Sequence, residues 1–270
     1  MKFDLHTHTK YSDGIFTPKH LIDLSLRLNL DGISITDHDN IDGLEEAIKY
    51  ANSIPDFKLI PGIEFSSIYK DEEIHLLGYF IDYKSKILID YVNHLKDIRF
   101  KRAMEMVEKL NNLDLKINFE DIQKNNKHLI SRTHIAKEMV RLNYVNNVKD
   151  AFDRYLKLGM PAYVAKKGLS TLDTIKLIKD LGGIPVLAHP GLLHDENTID
   201  DCKDLGVLGI ECIHSKHSKA ETEGYINYAK NNNLIITGGS DCHGELIQGE
   251  LLLGKYTCSI EKGDLLYDYL

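Results

Sequence analysis

The chain of 270 residues contains no CxxC pair, and its four cysteines (Cys202, Cys212, Cys242, Cys258) do not have the spacing of a zinc ribbon. Reduced thiols and a cytoplasmic setting are therefore expected. No apolar run approaches the roughly 20 residues that span a bilayer, so no membrane partner is expected. The first residues lack the basic, apolar and small-residue regions of a signal peptide, so His6 and His8 are expected to belong to the mature chain. Basic charge is short as well. A formal net charge of −8 argues against a protein that grips long duplex nucleic acid. It does not exclude a small phosphorylated ligand held through a local cluster of metal ions.

Short runs rich in Ile, Leu and Val are abundant. "FDLHTH" (3–8), "DGISITDH" (31–38), "KLIPGIEFSS" (58–67), "EIHLLGYF" (73–80), "GIPVLAHPG" (183–191), "LGIECIHS" (208–215) and "LIITGGSDCHG" (234–244) are each strand-length and bounded by Gly, Pro or charge. Their continuous apolar character, without strict alternation, predicts strands of a parallel sheet buried on both faces. Helical segments separate them. Thr17-Pro18 starts one that ends near Asn29, Ser170 and Asp173 open another that closes on Gly182-Gly183, and Ser218 with Glu221 opens a third. About seven strand-then-helix units imply an α/β fold closed into a barrel.

The rhythm breaks between about Ile89 and Ala165, where no strand is evident. Ala103, Met106, Leu110 and Leu113 follow a helical spacing, and "RTHIAKEMVRLNY" and "VKDAFDRYLKLG" read as further helices. Residues 89–165 are expected to be a small helical insertion domain, with 1–88 and 166–270 forming the barrel.

The polar residues fall on this map in a pattern. His6 and His8 end the first run, with Asp13 close behind, and His38 follows the second. Glu64 sits in the third, His75 in the fourth, His189 ends the fifth, and Asp241 and His243 end the last. One interior histidine is usually a hydrogen-bonded core residue, but a scatter of such residues would not track strand ends. In His6-x-His8 both imidazoles project from one face of a strand, about 7 Å apart at Cα, and can converge on one ion. Asp241-x-His243 repeats that geometry. Mixed nitrogen and oxygen ligands suit Zn, Mn or Fe better than Mg or Ca. There are too many ligands for one ion, so a cluster of two or three divalent ions is expected. His20, His94, His128 and His194 lack strand-end placement and are read as surface or helix residues. His214 and His217 are read as exposed ahead of substrate contact, and Cys212 and Cys242 as packing residues.

The ordered motifs "DLHTHTKYSDG", "ITDHD", "PGIEFS", "HLLGY", "AHPG" and "GSDCHG" resemble those of the polymerase and histidinol phosphatase (PHP) superfamily of metal-dependent phosphoesterases, across essentially the whole chain. The resemblance implies a distorted seven-stranded β/α barrel with a trinuclear centre on its C-terminal face. It places His6, His8, Glu64 and Asp241 in one site, Asp13, His38 and His243 in a second, and Glu64, His75 and His189 in a third, with Glu64 bridging. Position 13 is Asp where many members have His.

"SRTHIAKEMV", "FDRYLKLGMPAYV" and "GIECIHSKHS" further resemble the subgroup of nucleotide 3′,5′-bisphosphate phosphatases and short-RNA 5′ exonucleases. That resemblance implies that Arg132 and His134 bind a second phosphate, for which a guanidinium fork is suited. Pairing of Arg132 with an acid such as Glu138 is the alternative. Lys166 and Lys167 are further phosphate-binding candidates, with a solvated surface as the equal alternative. A metal-activated hydroxide would attack phosphorus, with His134 or a bound water as acid to the leaving oxygen. The expected partner is a nucleotide or short RNA, and the expected state a monomer. Histidinol phosphate or another small metabolite is the rival substrate, and a non-catalytic accessory module the rival class.

Overall fold

The computed structural model describes residues 1–70, 72–125, 130–165, 167–195, 197–262 and 264–270. The chain divides into two compact units, Met1–Ile89 with Gly168–Leu270, and Asp90–Lys167.

The first unit is built on strands β1 (Lys2–Thr7), β2 (Gly32–Ile35), β3 (Lys58–Tyr69) and β4 (Glu72–Tyr79). Helices α1 (Pro18–Arg27) and α2 (Leu44–Ala51) connect the first three. Helix α1 begins as its sequence predicts, with the Thr17 side chain accepting the His20 N–H and Pro18 in the first turn. In the second unit α3 (Lys86–Asn112), whose first residues belong to the first unit, is followed by α4 (Phe119–Asn125), α5 (Arg132–Arg141) and α6 (Val148–Ala151). The chain then resumes the first unit with α7 (Thr171–Asp180), β5 (Ile184–Leu187), α8 (Asn197–Leu205), β6 (Gly209–His214), α9 (Lys219–Asn231) and β7 (Ile235–Gly239).

All seven expected strands are present. Among the described residues they form one sheet in the order β1 to β7, joined at the β1 side by an eighth short strand that the sequence did not suggest, β10 (Cys258–Ser259). A small hairpin of β8 (Leu246–Ile247) and β9 (Glu250–Leu251) stands apart from it. The sheet closes where β1 meets the segment after β7: His8 N–H donates to Cys242 O at 3.0 Å and Asp241 N–H to His6 O at 2.9 Å. The result is a barrel-like α/β fold.

One expectation needs correction. Strand β4 runs antiparallel to both β3 and β5. The reason lies in the connection: β3 ends at Tyr69 and β4 begins at Glu72, too short a link for the crossover that a parallel neighbour requires. Its buried apolar character comes from position inside the sheet, which runs of this kind do not distinguish from parallel pairing.

Alternation builds the interior in layers. Phe3, Leu5, Ile60, Leu77, Tyr79, Ile184, Val186 and Ala188 pack as one apolar cluster. His75 shares the face of Leu77 and Tyr79, so β4 carries apolar packing at one level and an imidazole at the next. In β1 the pairing with β2 slips by a residue between Asp4 and Thr7. That bulge lets the adjacent Leu5 and His6 both serve the interior, where strict alternation would send one of them outward.

The second unit has a core of its own, including Ala103, Met106, Val107 and Leu110 from α3 with Ile135, Ala136 and Met139 from α5. Leu113 does not join it. Helix α3 ends at Asn112, and Leu113 is 43% exposed.

Candidate metal centre

Each strand delivers its polar residues to the same end of the barrel. Pairing of β2 with β3 continues past Ile35 to a bridge between His38 and Glu64, which sets these two side by side. His75 arrives from the N-terminal half of β4 because that strand runs in the opposite sense. His189 and Asp241 follow β5 and β7 with backbone φ of 28° and 53°. Such conformations are costly for residues with a Cβ and cluster where the surrounding structure holds a functional side chain in place.

Glu64 lies at the centre. Its Oε2 is 2.8 Å from His38 Nδ1 and 3.3 Å from the Nε2 atoms of both His6 and His8. Its Oε1 is 2.8 Å from His75 Nδ1 and 3.0 Å from His189 Nε2. Asp241 Oδ1 stands 3.1 Å from His8 Nε2, and Asp13 Oδ1 stands 3.1 Å from His243 Nε2. His8, Asp13, His38 and His243 offer ligand atoms all within 4.8 Å of one another, as do His6, His8 and Asp241, and again His38, Glu64 and His75. Thus His8 joins two groups, and His38 neighbours Glu64 and His75 as well as Asp13.

The donor set fits divalent ions. His6 Nε2, His8 Nε2, Asp13 Oδ1, His38 Nδ1 and Glu64 Oε2 are buried and make no hydrogen bond. Buried polar atoms are almost always satisfied, and orphaned lone pairs facing one another incur a desolvation cost that a shared cation removes. Imidazole with carboxylate is a donor set suited to Zn, Mn or Fe.

The family model described as the PHP domain matches residues 4–159. The chain belongs to the PHP domain family. It is 31% identical to the 3′,5′-nucleoside bisphosphate phosphatase of Chromobacterium violaceum, over 89% of this chain and 86% of that protein. It is 29% identical to a 5′-3′ exoribonuclease of Haemophilus influenzae, over 90% of each. A solved structure from Bifidobacterium adolescentis, described as a candidate metal-dependent phosphoesterase, superposes with a TM-score of 0.83 at 29% identity, covering 92% of this chain and 90% of that one. As a PHP phosphoesterase the protein is a hydrolase of phosphoric esters and uses divalent metal.

The electrostatics of this PHP centre divide its ligand candidates. Burial disfavours charge on Glu64, yet His38, His6 and His75 hold its carboxyl well below the usual range. Asp13 and Asp241 are likewise held ionised against burial, the first by His38 and His243, the second by His243 and His6. His8 is pushed down to about 3 by burial and by the imidazoles of His243 and His38, which keeps it neutral. His75 and His243 go the other way. Burial works against their protonation, but Glu64 lifts His75 to about 9 and Asp13 lifts His243 to about 10.

Three residues that sequence reasoning did not select support these. Asp37 accepts from Thr9 N–H at 2.7 Å, Thr9 Oγ1–H at 2.6 Å and Ser12 Oγ–H at 2.5 Å, tying down the loop that carries Asp13. Glu211 receives His6 Nδ1 at 3.0 Å and is fully buried. His214, expected to be exposed, is 1% exposed, with Nε2 3.5 Å from Asp241 Oδ2. A second slip in register, between Glu211 and Ile213, is what turns His214 inward. The available signal for Glu211 was a carboxylate within an apolar strand run, a position that a charge rarely takes unpaired. His217 is fixed in place, with Gly191 N–H donating to its Nε2 at 3.1 Å and its Nδ1 3.0 Å from Cys212 O. His20, His94 and His194 are exposed, and Cys212 and Cys242 are buried free thiols, as expected.

The candidates from the insertion lie in the second unit. Arg132 opens α5 with its guanidinium carbon 5.7 Å from the Phe152 ring centre. His134 Nδ1 accepts the Ser131 N–H at 3.1 Å and completes a capping box. Glu138, the acid considered for Arg132, is gripped at both oxygens by Arg141 at 2.8 and 2.6 Å. Lys166 and His128 lie outside the described residues, and Lys167 is exposed. In the first unit a cavity of about 140 Å³ adjoins Asp241 and His243, lined also by Ser215, Lys216, Cys242, Glu245, Ile247 and Leu252.

Proposed function

We propose that this PHP phosphoesterase removes the 3′-phosphate of nucleoside 3′,5′-bisphosphates, trims short RNA from its 5′ end, or does both. The observation that carries the reading is the convergence of His6, His8, Asp13, His38, Glu64, His75, His189, Asp241 and His243, which we take as the ligands, in a chain whose similarity to a nucleoside bisphosphate phosphatase and an exoribonuclease runs nearly end to end. Two or three ions of Mn, Fe or Zn bound there would activate water near neutral pH and neutralise phosphoryl charge.

The remaining work falls to the chain. The three carboxylates, held ionised, and His8, held neutral, present lone pairs without first losing protons at pH 7. Ser215 and Lys216 line the cavity beside Asp241 and Glu245, where the ammonium offsets these carboxylates and can meet an anionic substrate. Arg132, His134 and Lys166 are assigned to the second phosphate of the substrate. Since His134 Nδ1 accepts the Ser131 N–H, its proton resides on Nε2 in the neutral ring, the atom from which a leaving oxygen would take it. Residues 89–165 are thereby assigned as a substrate-binding insertion. Four buried free thiols support a cytoplasmic enzyme, and no helix among the described residues is long and apolar enough to cross a membrane.

The test is phosphate release by Mn²⁺-loaded protein from adenosine 3′,5′-bisphosphate, with histidinol phosphate beside it. Formation of AMP with little histidinol is the expected outcome, and Arg132→Ala should raise KM for the bisphosphate about tenfold or more. Preference for histidinol phosphate would overturn the nucleotide reading.

A further inference from the structure

Glu211 is fully buried in β6 and contacts two ligand candidates, one in β1 and one just after β5. Its carboxylate takes the His6 imidazole at Nδ1, with 3.0 Å to Oε1 and 3.2 Å to Oε2. Its Oε2 also accepts the backbone N–H of His189 at 2.9 Å. His189 is the residue with φ of 28°, a conformation that needs an external hold. A carboxylate on Nδ1 holds a proton there, so in the neutral ring, the form that can bind a cation, the lone pair lies on His6 Nε2. That is the buried atom without a hydrogen-bond partner, 3.3 Å from Glu64 and 3.6 Å from Asp241.

His214, in the same strand, has the opposite arrangement. Its Nδ1 accepts the Lys216 N–H at 3.2 Å, so in the neutral ring the proton sits on Nε2, which faces Asp241 Oδ2 at 3.5 Å without closing a hydrogen bond. A nitrogen that carries a proton does not ligate a metal. For that reason His6, Glu211 and His214, although close enough to enclose an ion, are better read as support than as a further ion site.

We infer that Glu211 is a positioning residue of the metal centre, fixing the tautomer of His6 and the backbone of His189 at once, while His214 steadies Asp241 from the same buried strand. Partners of this kind raise the basicity of a ligating imidazole and lock its orientation, and their loss typically lowers metal affinity by about 10–100-fold. The inference rests on the reading of His6, His189 and Asp241 as ligands.

The experiment compares wild type with Glu211→Gln by zinc titration, with elemental analysis of metal per chain at saturation. Beside it, ¹⁵N-histidine spectra of the wild-type zinc protein report which nitrogen of His6 carries hydrogen. The expected result is unchanged stoichiometry, affinity weakened by about 10–100-fold, and a slowly exchanging His6 Nδ1–H in the wild type. Wild-type affinity in Glu211→Gln, or a His6 proton on Nε2, would overturn the positioning role while leaving the ligands standing. Loss of one whole ion would make Glu211 a ligand and overturn the role as well. A wild type that binds no zinc would overturn the ligand reading and this inference with it. Should Glu211→Gln fail to fold, the His6 spectrum of the wild type decides.

Discussion

Gly239 and His6 meet at the barrel seam with no room for one more carbon. A Cβ on Gly239 would lie 2.2 Å from His6 Cβ and 2.5 Å from His6 N. Gly239→Ala must therefore push β1 from β7 at the residue that holds Glu211 and faces Glu64. A loss of about 1–3 kcal/mol in urea unfolding is expected from overpacking, accompanied by reduced metal content. Stability equal to wild type would mean that the seam is looser than described.

Glu64 is the residue whose removal should cost most in metal. Its two oxygens face five imidazoles, those of His6, His8, His38, His75 and His189. Glu64→Gln removes the charge and replaces one of the two oxygens facing these imidazoles with an amide N–H₂, which cannot bind a cation. Metal per chain after dialysis should fall by at least one ion, with turnover reduced 100-fold or more, on the order expected when a charged ligand of a catalytic centre is lost. Full metal content in this variant would remove Glu64 from its central role.

Asp37 acts at one remove, through the 9–13 loop. Asp37→Ala strands the Thr9 N–H, the Thr9 hydroxyl and the Ser12 hydroxyl, all buried. Two or more unsatisfied donors should cost about 2–4 kcal/mol, and the freed loop should no longer present Asp13. A thermal melt of the metal-free protein measures the first effect, and metal titration the second. A variant that melts with wild type would reduce Asp37 to a bystander.

The pH dependence follows from His75. Its pKa is raised from 6.5 to about 9, so the chelated protein gains stability from its protonation below about pH 6.5 and loses it as pH rises through 9. The span of about 2.5 units corresponds to about 3 kcal/mol. His243, raised to about 10, extends the same decline upward. Metal binding must expel these protons, so affinity should rise with pH over the same range, with proton release near pH 7 measurable by calorimetry in buffers of different ionisation enthalpy. Proton-neutral binding at pH 7 would contradict this account.

Much of this was legible beforehand, and for definable reasons. His6-x-His8 and Asp241-x-His243 announce themselves because period-two spacing has one simple outcome on a strand. Helices α1 and α9 start where Thr17 and Ser218 cap them. The direction of β4 was not legible, since Ile74, Leu76 and Leu77 are buried in the same way whichever way the strand runs. Nor were Glu211 and His214. Their arrival depends on a slip in register after Glu211, and a bulge leaves no mark in composition. The grouping of His8 with Asp13, His38 and His243 required distances.

The seam has one more consequence, for the order of events during synthesis. His6 and His8 leave the ribosome long before Asp241 and Cys242, whose backbone groups bond to them across the seam. A nascent chain shorter than that cannot complete the centre, whatever it has folded by then. The contact between these two stretches is among the longest in range, the kind that makes a fold slow to finish.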